Sequence, residues 1–372
     1  MPKFSLPELE AYVGTIITKA NVSNASFVET RNNVAGLLDK IGKIITLVSV
    51  FTIDKLSRFD GEYLSFGKTI EEWYEDLLLP QDYDSTGANA LAPADPTYRP
   101  VFYSYTCGKQ RIKTTIRNND LERAVHFTEQ FISLVAMQYK RIEDSMAQYR
   151  YGLKREMIAK FYDLCDDTLP ANVSTTYAVS TAYNVGTLVK NSNDVAIVVK
   201  PIASTNADTF AQALANGKLI KLDLITSIAK PVDTSTGEAF IKQLKNDVEV
   251  ASDVSEGHSL NGNTLGAVNG LVLIIKQGIM ASLDVDTLAG AFHLDKVALP
   301  TEVIVVKDFG SADSSVYAVL MDSRAMRLHP TYNAVRENLN GEGDFLNIFR
   351  HTENTAYISR NAFVKFYVEP SA

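Results

Sequence analysis

The sequence predicts an α+β protein threaded on one very long helix. Three observations carry this. Apolar or aromatic residues recur at alternating steps of four and three from Leu121 to Leu153. A charged stretch before them shows the two-residue alternation of a strand. After them, short apolar runs and helical segments follow one another.

Residues 1–58 read as an extended arm with amphipathic helices. Leu9, Tyr12, Val13 and Ile16 share one helical face, and Val34, Leu37, Leu38, Ile41, Ile44 and Ile45 share another. Such faces must be buried, either on the rest of the fold or on a neighbour. Residues 59–118 change character. The run Phe66-Gly67-Lys68-Thr69-Ile70-Glu71-Glu72-Trp73-Tyr74 leads into an acidic tract with Pro and Gly, Gln81 to Pro100, expected to be a projecting loop. Val101 to Thr106 and Lys109 to Ile116 then read as two strands of a hairpin joined at Cys107-Gly108. Lys109, Arg111 and Lys113 fall on one face of the second strand. With acidic residues on the same protrusion, this suits pairing between subunits, although a solvated hairpin has the same composition.

The long helix follows. Leu121, Val125, Thr128, Ile132, Val135, Tyr139, Ile142, Met146, Tyr149 and Leu153 form its stripe, and only Thr128 is neither apolar nor aromatic. Asn119 and Asp120 are good N-caps, Glu122 completes a capping box with Asn119, and Pro170 sets the latest exit. From Asp120 to about Asp163 the rod measures roughly 65 Å, long enough to tie together distant parts of a molecule or assembly. Phe127, Phe131, Leu134, Ala136 and Met137 widen the apolar surface of its first half, which predicts packing on two sides; the second half is charged around a single seam. Beyond Gly152 the stripe moves to Met157, Phe161 and Leu164, predicting a bend or a change of packing partner there.

From Leu169 to about Met321 the pattern is mixed. Ala196–Val199, Val272–Ile275, Val303–Val306 and Val316–Leu320 read as strands, Asp208–Asn216 and Ser282–Phe292 as helices, and Asp247–Asn269 as a surface loop. In the last segment, His329-Pro330-Thr331-Tyr332-Asn333 precedes a turn at Gly341–Gly343. Phe345–Phe349, Ala356–Ile358 and Ala362–Val368 are strands expected to close a sheet against the long helix.

Composition narrows the function. At 46% apolar and 22% charged, the 372 residues are ordinary for a globular protein, and a net charge of -8 argues against a dedicated reader of nucleic acid. Cys107 and Cys165 alone do not make a disulfide framework. The opening MPKFSLPELE lacks the features of a signal peptide, and the apolar run Ile44–Ile53 is about half of what a bilayer needs, so neither export nor a membrane span is expected. Gly67-Lys68-Thr69 has the core of a phosphate loop, but the Gly that should stand five positions earlier is Glu62. His126, His258, His293, His329 and His351 share no metal-ligand spacing, and neither a nucleophile elbow nor a dinucleotide fingerprint occurs. No catalytic, cofactor or metal site is expected.

The order of parts carries a resemblance. Phe66-Gly67-Lys68-Thr69-Ile70-Glu71-Glu72 with Trp73, Thr114-Thr115-Ile116 before Asp120-Leu121-Glu122-Arg123-Ala124-Val125, Leu283 to Phe292, and His329-Pro330-Thr331-Tyr332-Asn333 with Phe345-Leu346-Asn347 resemble the major capsid proteins of tailed bacteriophages. The likeness is greatest to those of small short-tailed podoviruses of Gram-positive hosts. The resemblance implies the Johnson fold, with an N-terminal arm (1–58), an extended hairpin loop (59–118), a peripheral domain with the spine helix (119–170), an axial domain (171–321) and returning peripheral strands (322–372). It implies a non-enzymatic subunit that self-assembles into hexamers and pentamers of an icosahedral shell around double-stranded DNA. Its partners would be further copies of itself, a scaffolding protein and a portal protein. Assembly would take place in the host cytoplasm and the product would be the virion, with no membrane involved. Trp73, Lys109, Arg111 and Lys113 are the expected contacts between subunits. An encapsulin-like shell shares the fold, and a cytosolic enzyme with a helical dimerisation arm is the reading from another class. A parallel coiled coil is disfavoured by the all-round apolar first half of the helix.

Overall fold

The computed structural model describes residues 54–75, 98–117, 128–253, 256–262, 270–279, 302–343 and 345–370. Among the described residues a 3-10 turn, Ser57–Phe59, precedes β1 (Ile70–Glu75), β2 (Tyr98–Tyr103) and β3 (Tyr105–Arg117). The long helix α1 (Thr128–Asp166) comes next, then β4 (Leu188–Asn191), β5 (Asp194–Val198), α2 (Phe210–Ala215), β6 (Leu219–Lys221), β7 (Ile225–Ser227) and α3 (Thr234–Ser252). The remaining strands are β8 (Leu271–Lys276), β9 (Glu302–Val306), β10 (Val316–Asp322), β11 (Met326–Asn340), β12 (Phe345–Ile358) and β13 (Val364–Val368). Four sheets result, ordered β1-β2, β7-β13-β10-β8-β9, β11-β12-β3 and β4-β5-β6. The expected arm up to residue 53, the caps Asn119 and Asp120, the acidic tract 81–97 and the helix Ser282–Phe292 lie outside the described residues, as do the side chains of Phe127, Phe131, Leu134, Ala136 and Met137.

Two compact units divide the chain. The first draws on residues 1–57, 107–153 and 330–354, the second on 58–106, 154–329 and 355–372. The division crosses α1 between Leu153 and Lys154, one residue beyond Gly152, while the helix itself is continuous. The expected change of packing partner is therefore found at the predicted place. In the first unit, Ile142 and Met146 are the buried positions of the described stripe. Two side-chain contacts tie this part of the helix to the sheet β11-β12-β3: Thr114 donates to Gln138 Oε1 at 2.7 Å, and Arg350 pairs with Glu143 at 3.4 Å. In the second unit Lys154, Met157, Ile158, Phe161, Tyr162 and Cys165 form one wide buried face, and Glu156, Lys160 and Asp163 on the opposite side are exposed. A Cβ added at Gly152 would meet nothing within 4 Å. Gly152→Ala should therefore stabilise the helix by about 1 kcal/mol, read as a raised melting temperature by circular dichroism; a lowered one would mean that the open space there is needed.

The core of the second unit is the five-stranded sheet. Its central strand β10 is buried at every position, pairing antiparallel with β8 and β13, which in turn pair parallel with β9 and β7. Strands covered on both faces read as unbroken apolar runs, which is why β8 and β10 were legible. On one face α3 contributes Phe240, Ile241, Leu244 and Ala251 to a cluster with Leu273, Leu320 and Tyr367. On the other, Phe366 meets the rings of Phe161 and Tyr162 of α1 at 6.1 and 5.4 Å.

Asp247 of α3 is buried in this core, accepting from Tyr367 Oη at 2.7 Å and Gln243 Nε2 at 2.9 Å. Burial outweighs these donors and raises its carboxyl above the ordinary Asp value. The folded chain thus holds this proton more tightly than the unfolded chain, and stability falls as pH rises from the unfolded pKa toward the raised folded one. Asp247→Asn is expected to raise the melting temperature at pH 7. That gain should shrink as the pH is lowered and the wild-type group takes up its proton; a gain independent of pH would refute this origin.

Three expectations are corrected. Cys107-Gly108 is not a turn: β3 runs straight through it, Gly108 is not among the glycines with positive φ, and β2 pairs with β1, Ile70 opposite Tyr103. The tract beginning at Asp247 is helical as far as Ser252, as the end of α3, a helix the sequence reading missed. Its polar first turn is held by a capping box between Asp233 and Thr236. Phe345–Phe349 and Ala356–Ile358 belong to one strand, β12, whose polar middle residues Thr352 and Asn354 are buried.

Candidate subunit-contact surface

β3 alternates as its sequence suggests. Ile116 is buried and Thr114 bonds to α1, while Lys109, Arg111 and Lys113 stand on the other, exposed face. The structure adds what they stand on. Lys109 Nζ lies 3.9 Å from the ring centre of Tyr332, and Lys113 Nζ and Arg111 Cζ lie 5.6 and 6.0 Å from that of Phe349. Phe349 stacks in turn on His351 at 6.2 Å, and Thr115 donates to Asn347 Oδ1 at 2.7 Å on the same face. Each exposed cation–ring contact is worth about 0.5–1 kcal/mol, enough to bias the flexible side chains into an ordered row. The rings come from β11 and β12, far along the chain, and no local signal in the sequence links them to the cations. Between β3 and α1 lies an open polar groove of about 340 Å³, with Lys113 and Arg141 as its charged residues.

Trp73 belongs to the second unit. On β1, Glu72 points inward, where its carboxylate accepts from Tyr103 Oη at 2.8 Å and Ser359 Oγ at 2.7 Å. Tyr103 Oη also accepts the Arg360 N–H at 3.0 Å, and its ring meets Tyr357 edge-on at 4.9 Å. Burial, the largest effect on the Tyr103 hydroxyl, keeps it protonated well above the ordinary tyrosine range. Glu72 thus pins the root of the β1–β2 hairpin, and the alternation turns Glu71 and Trp73 outward. Trp73 is 60% exposed, and Phe66, Phe102 and Tyr105 are exposed at 96%, 63% and 71%. Trp73 and Phe102 lie on the paired strands β1 and β2, and exposed apolar surface of this kind marks a site of association. Gly67 has φ +75°, in the left-handed region that favours glycine, beside the exposed Phe66. Cys107 and Cys165 are free thiols, and no group of three metal-ligating side chains converges among the described residues.

The comparisons with known proteins bear on what this surface serves. The family model of Phi29-like phage major capsid proteins matches residues 3–366. The chain belongs to that family. Among its relatives, the major capsid protein of Bacillus phage PZA is 22% identical over 331 residues, and that of Bacillus phage B103 is 24% identical over 328. Each alignment covers 88% of this chain and 61% of the relative, so the chain spans about three fifths of the length of these proteins. The capsid structure of Staphylococcus phage Andhra contains a chain with a TM-score of 0.53 at 10% identity, over 84% of this chain and 83% of that one. A chain in the structure of the head fibre and inner core protein of native bacteriophage P68 gives 0.52 at 11%, with the same coverage. These likenesses establish the fold, the tailed-phage capsid fold expected from the order of parts. The family model and both relatives carry the name of major capsid protein, and neither the encapsulin-like shell nor the dimeric enzyme is favoured.

Proposed function

We propose that this chain is the repeating subunit of an icosahedral shell, associating with copies of itself as hexamers and pentamers around double-stranded DNA. Its further partners are a scaffolding protein and a portal protein, and it assembles in the host cytoplasm. The observation that carries this reading is the family match over nearly the whole chain, from residue 3 to residue 366. In functional terms the chain divides into an arm (1–58), an extended loop (59–118), a peripheral domain (119–170 and 322–372) and an axial domain (171–321). Trp73, Lys109, Arg111 and Lys113 are its contact residues between subunits. A closed shell of one sequence needs head-to-tail contacts that tolerate changes in local curvature, and strands, loops and ordered surface cations supply them better than rigid pockets. The net charge of -8 suits a container that confines DNA without gripping it.

The test is direct. The full chain is expressed with its scaffolding protein and examined by size-exclusion chromatography and negative-stain microscopy. Closed, uniform particles are expected; a discrete dimer at every concentration and salt tried, with scaffold present, would sink the reading.

A further inference from the structure

We propose that the groove between β3 and α1 is the docking site of the scaffolding protein. An extended acidic segment of that partner adds to the free edge of β3 and sets a carboxylate against Arg141. The inference rests on the proposed shell function and names where its assembly partner is held.

The groove lies inside the first unit, and the positions that line it fix its place. One wall is residues 112–115 of β3, four in a row. Successive side chains of a strand point to opposite faces, so a space that touches four in a row lies along the strand's edge and not over one face. Strand β12 fills one edge of β3, and among the described residues no strand fills the other. The groove therefore runs along the open edge, where alternate residues turn backbone N–H and C=O groups outward. Such an edge is a template for an extended chain. The second wall is positions 138, 141, 142 and 145 of α1, the spacing of one helical face. Three steps of a strand and seven of a helix each cover about 10 Å, so the two walls match in length.

Charge selects the occupant. Arg141 and Lys113 are the charged residues of the groove, both are exposed, and no acid lines it. Among the described residues neither cation stands in an ion pair. In a chain of net charge -8 this is a local reversal of sign that an acidic segment fits. Two cations are few for nucleic acid, whose binding depends on many neutralised phosphates. A peptide instead combines a backbone ladder with one or two charge-assisted hydrogen bonds. A contact this short is weak by itself, far below the area of a permanent contact between copies. Repeated over many copies, it suffices for a partner that guides assembly and then leaves. Side-chain alternation adds a requirement. Arg141 stands on the helix side of β3 and Lys113 on the other, so the carboxylates that meet them lie an odd number of residues apart in the partner.

The experiment measures binding of purified scaffolding protein to the soluble full chain by fluorescence anisotropy. Arg141→Glu should weaken binding about tenfold or more with an unchanged circular dichroism spectrum, while Arg141→Lys should stay within about threefold of wild type. A second measurement leaves Arg141 in place: a photo-crosslinking residue at position 145, followed by peptide mapping, should join the groove to one scaffold segment that carries Asp or Glu. Reversing the mapped acid to Lys should then restore binding to the Arg141→Glu chain, the signature of a direct pair. Wild-type affinity in Arg141→Glu overturns the proposal. Crosslinks that fall on DNA, on residues 1–53 or on another copy of this chain overturn it too, and name the true occupant. Wild-type chain that forms no particles with scaffold present, by contrast, overturns the shell reading itself.

Discussion

Gly257→Ala is expected to cost the second unit about 4 kcal/mol, enough to leave it partly unfolded at growth temperature. Gly257 has φ +89°, a region that L side chains rarely adopt, and that alone costs about 1–2 kcal/mol. The larger part is steric. A Cβ built there falls 2.3 Å from the carbonyl oxygen of Lys221, at the end of β6, so backbone must move to admit it. That backbone is not free to move. Gly257 donates its N–H to the Gly262 carbonyl and accepts the Asp223 N–H at 2.8 Å, and Lys221 pairs with Ala196 in the β4-β5-β6 sheet. Urea titration followed by far-ultraviolet circular dichroism should show a lower midpoint for the transition that melts this sheet. A change below about 1 kcal/mol would mean that the loop shifts at little cost.

Asp60→Ala should cost about 3 kcal/mol, and Lys154→Met added to it should recover most of the loss. The Lys154 side chain is completely buried in α1, and its Nζ lies 2.6 Å from Asp60 Oδ1. Asp60 precedes β1 in the chain and is bridged to Leu328 of β11. Removing the carboxylate takes away the counter-charge of a buried ammonium, whereas replacing the lysine with a side chain of similar length and no charge removes the penalty along with the attraction. Asp60 is one-third exposed, so solvent tempers the cost and the figure is set at the lower end for a buried pair. Thermal melts of D60A, K154M and the double variant form a cycle. A double variant no more stable than D60A would refute the desolvation account.

Lys154 also shows how far the sequence can be read. It counts as one more charge around the second half of the long helix, yet it lies on the same face as Ile158 and Phe161 and is as buried as they are. A pattern of residue types cannot mark a lysine as buried when its partner comes from a distant segment. The row Lys109, Arg111 and Lys113 was legible because strand alternation is local; its seats on Tyr332 and Phe349 were not, because they depend on which strands lie side by side. Strand β2 was read toward Lys109–Ile116, its neighbour in sequence, but pairs with β1 across a long connection. Helix α3 escaped notice because its apolar positions, Phe240, Ile241, Leu244 and Ala251, follow a first turn of Thr, Ser and Gly that reads as loop.

By itself, then, the sequence determined the α+β class, the long helix with its change of partner beside Gly152, the apolar strands β5, β8, β9, β10 and β13, and the family. All of these follow from periodicity, continuous apolar runs or the order of parts along the chain. Only the tertiary structure decided which strands lie side by side, where Glu72 and Lys154 find their partners, and what lies beneath the cations of β3. Those features are set by pairings between residues far apart in the chain, whose free energy depends on distance in space and on exclusion of water, quantities that no local pattern of residue types encodes.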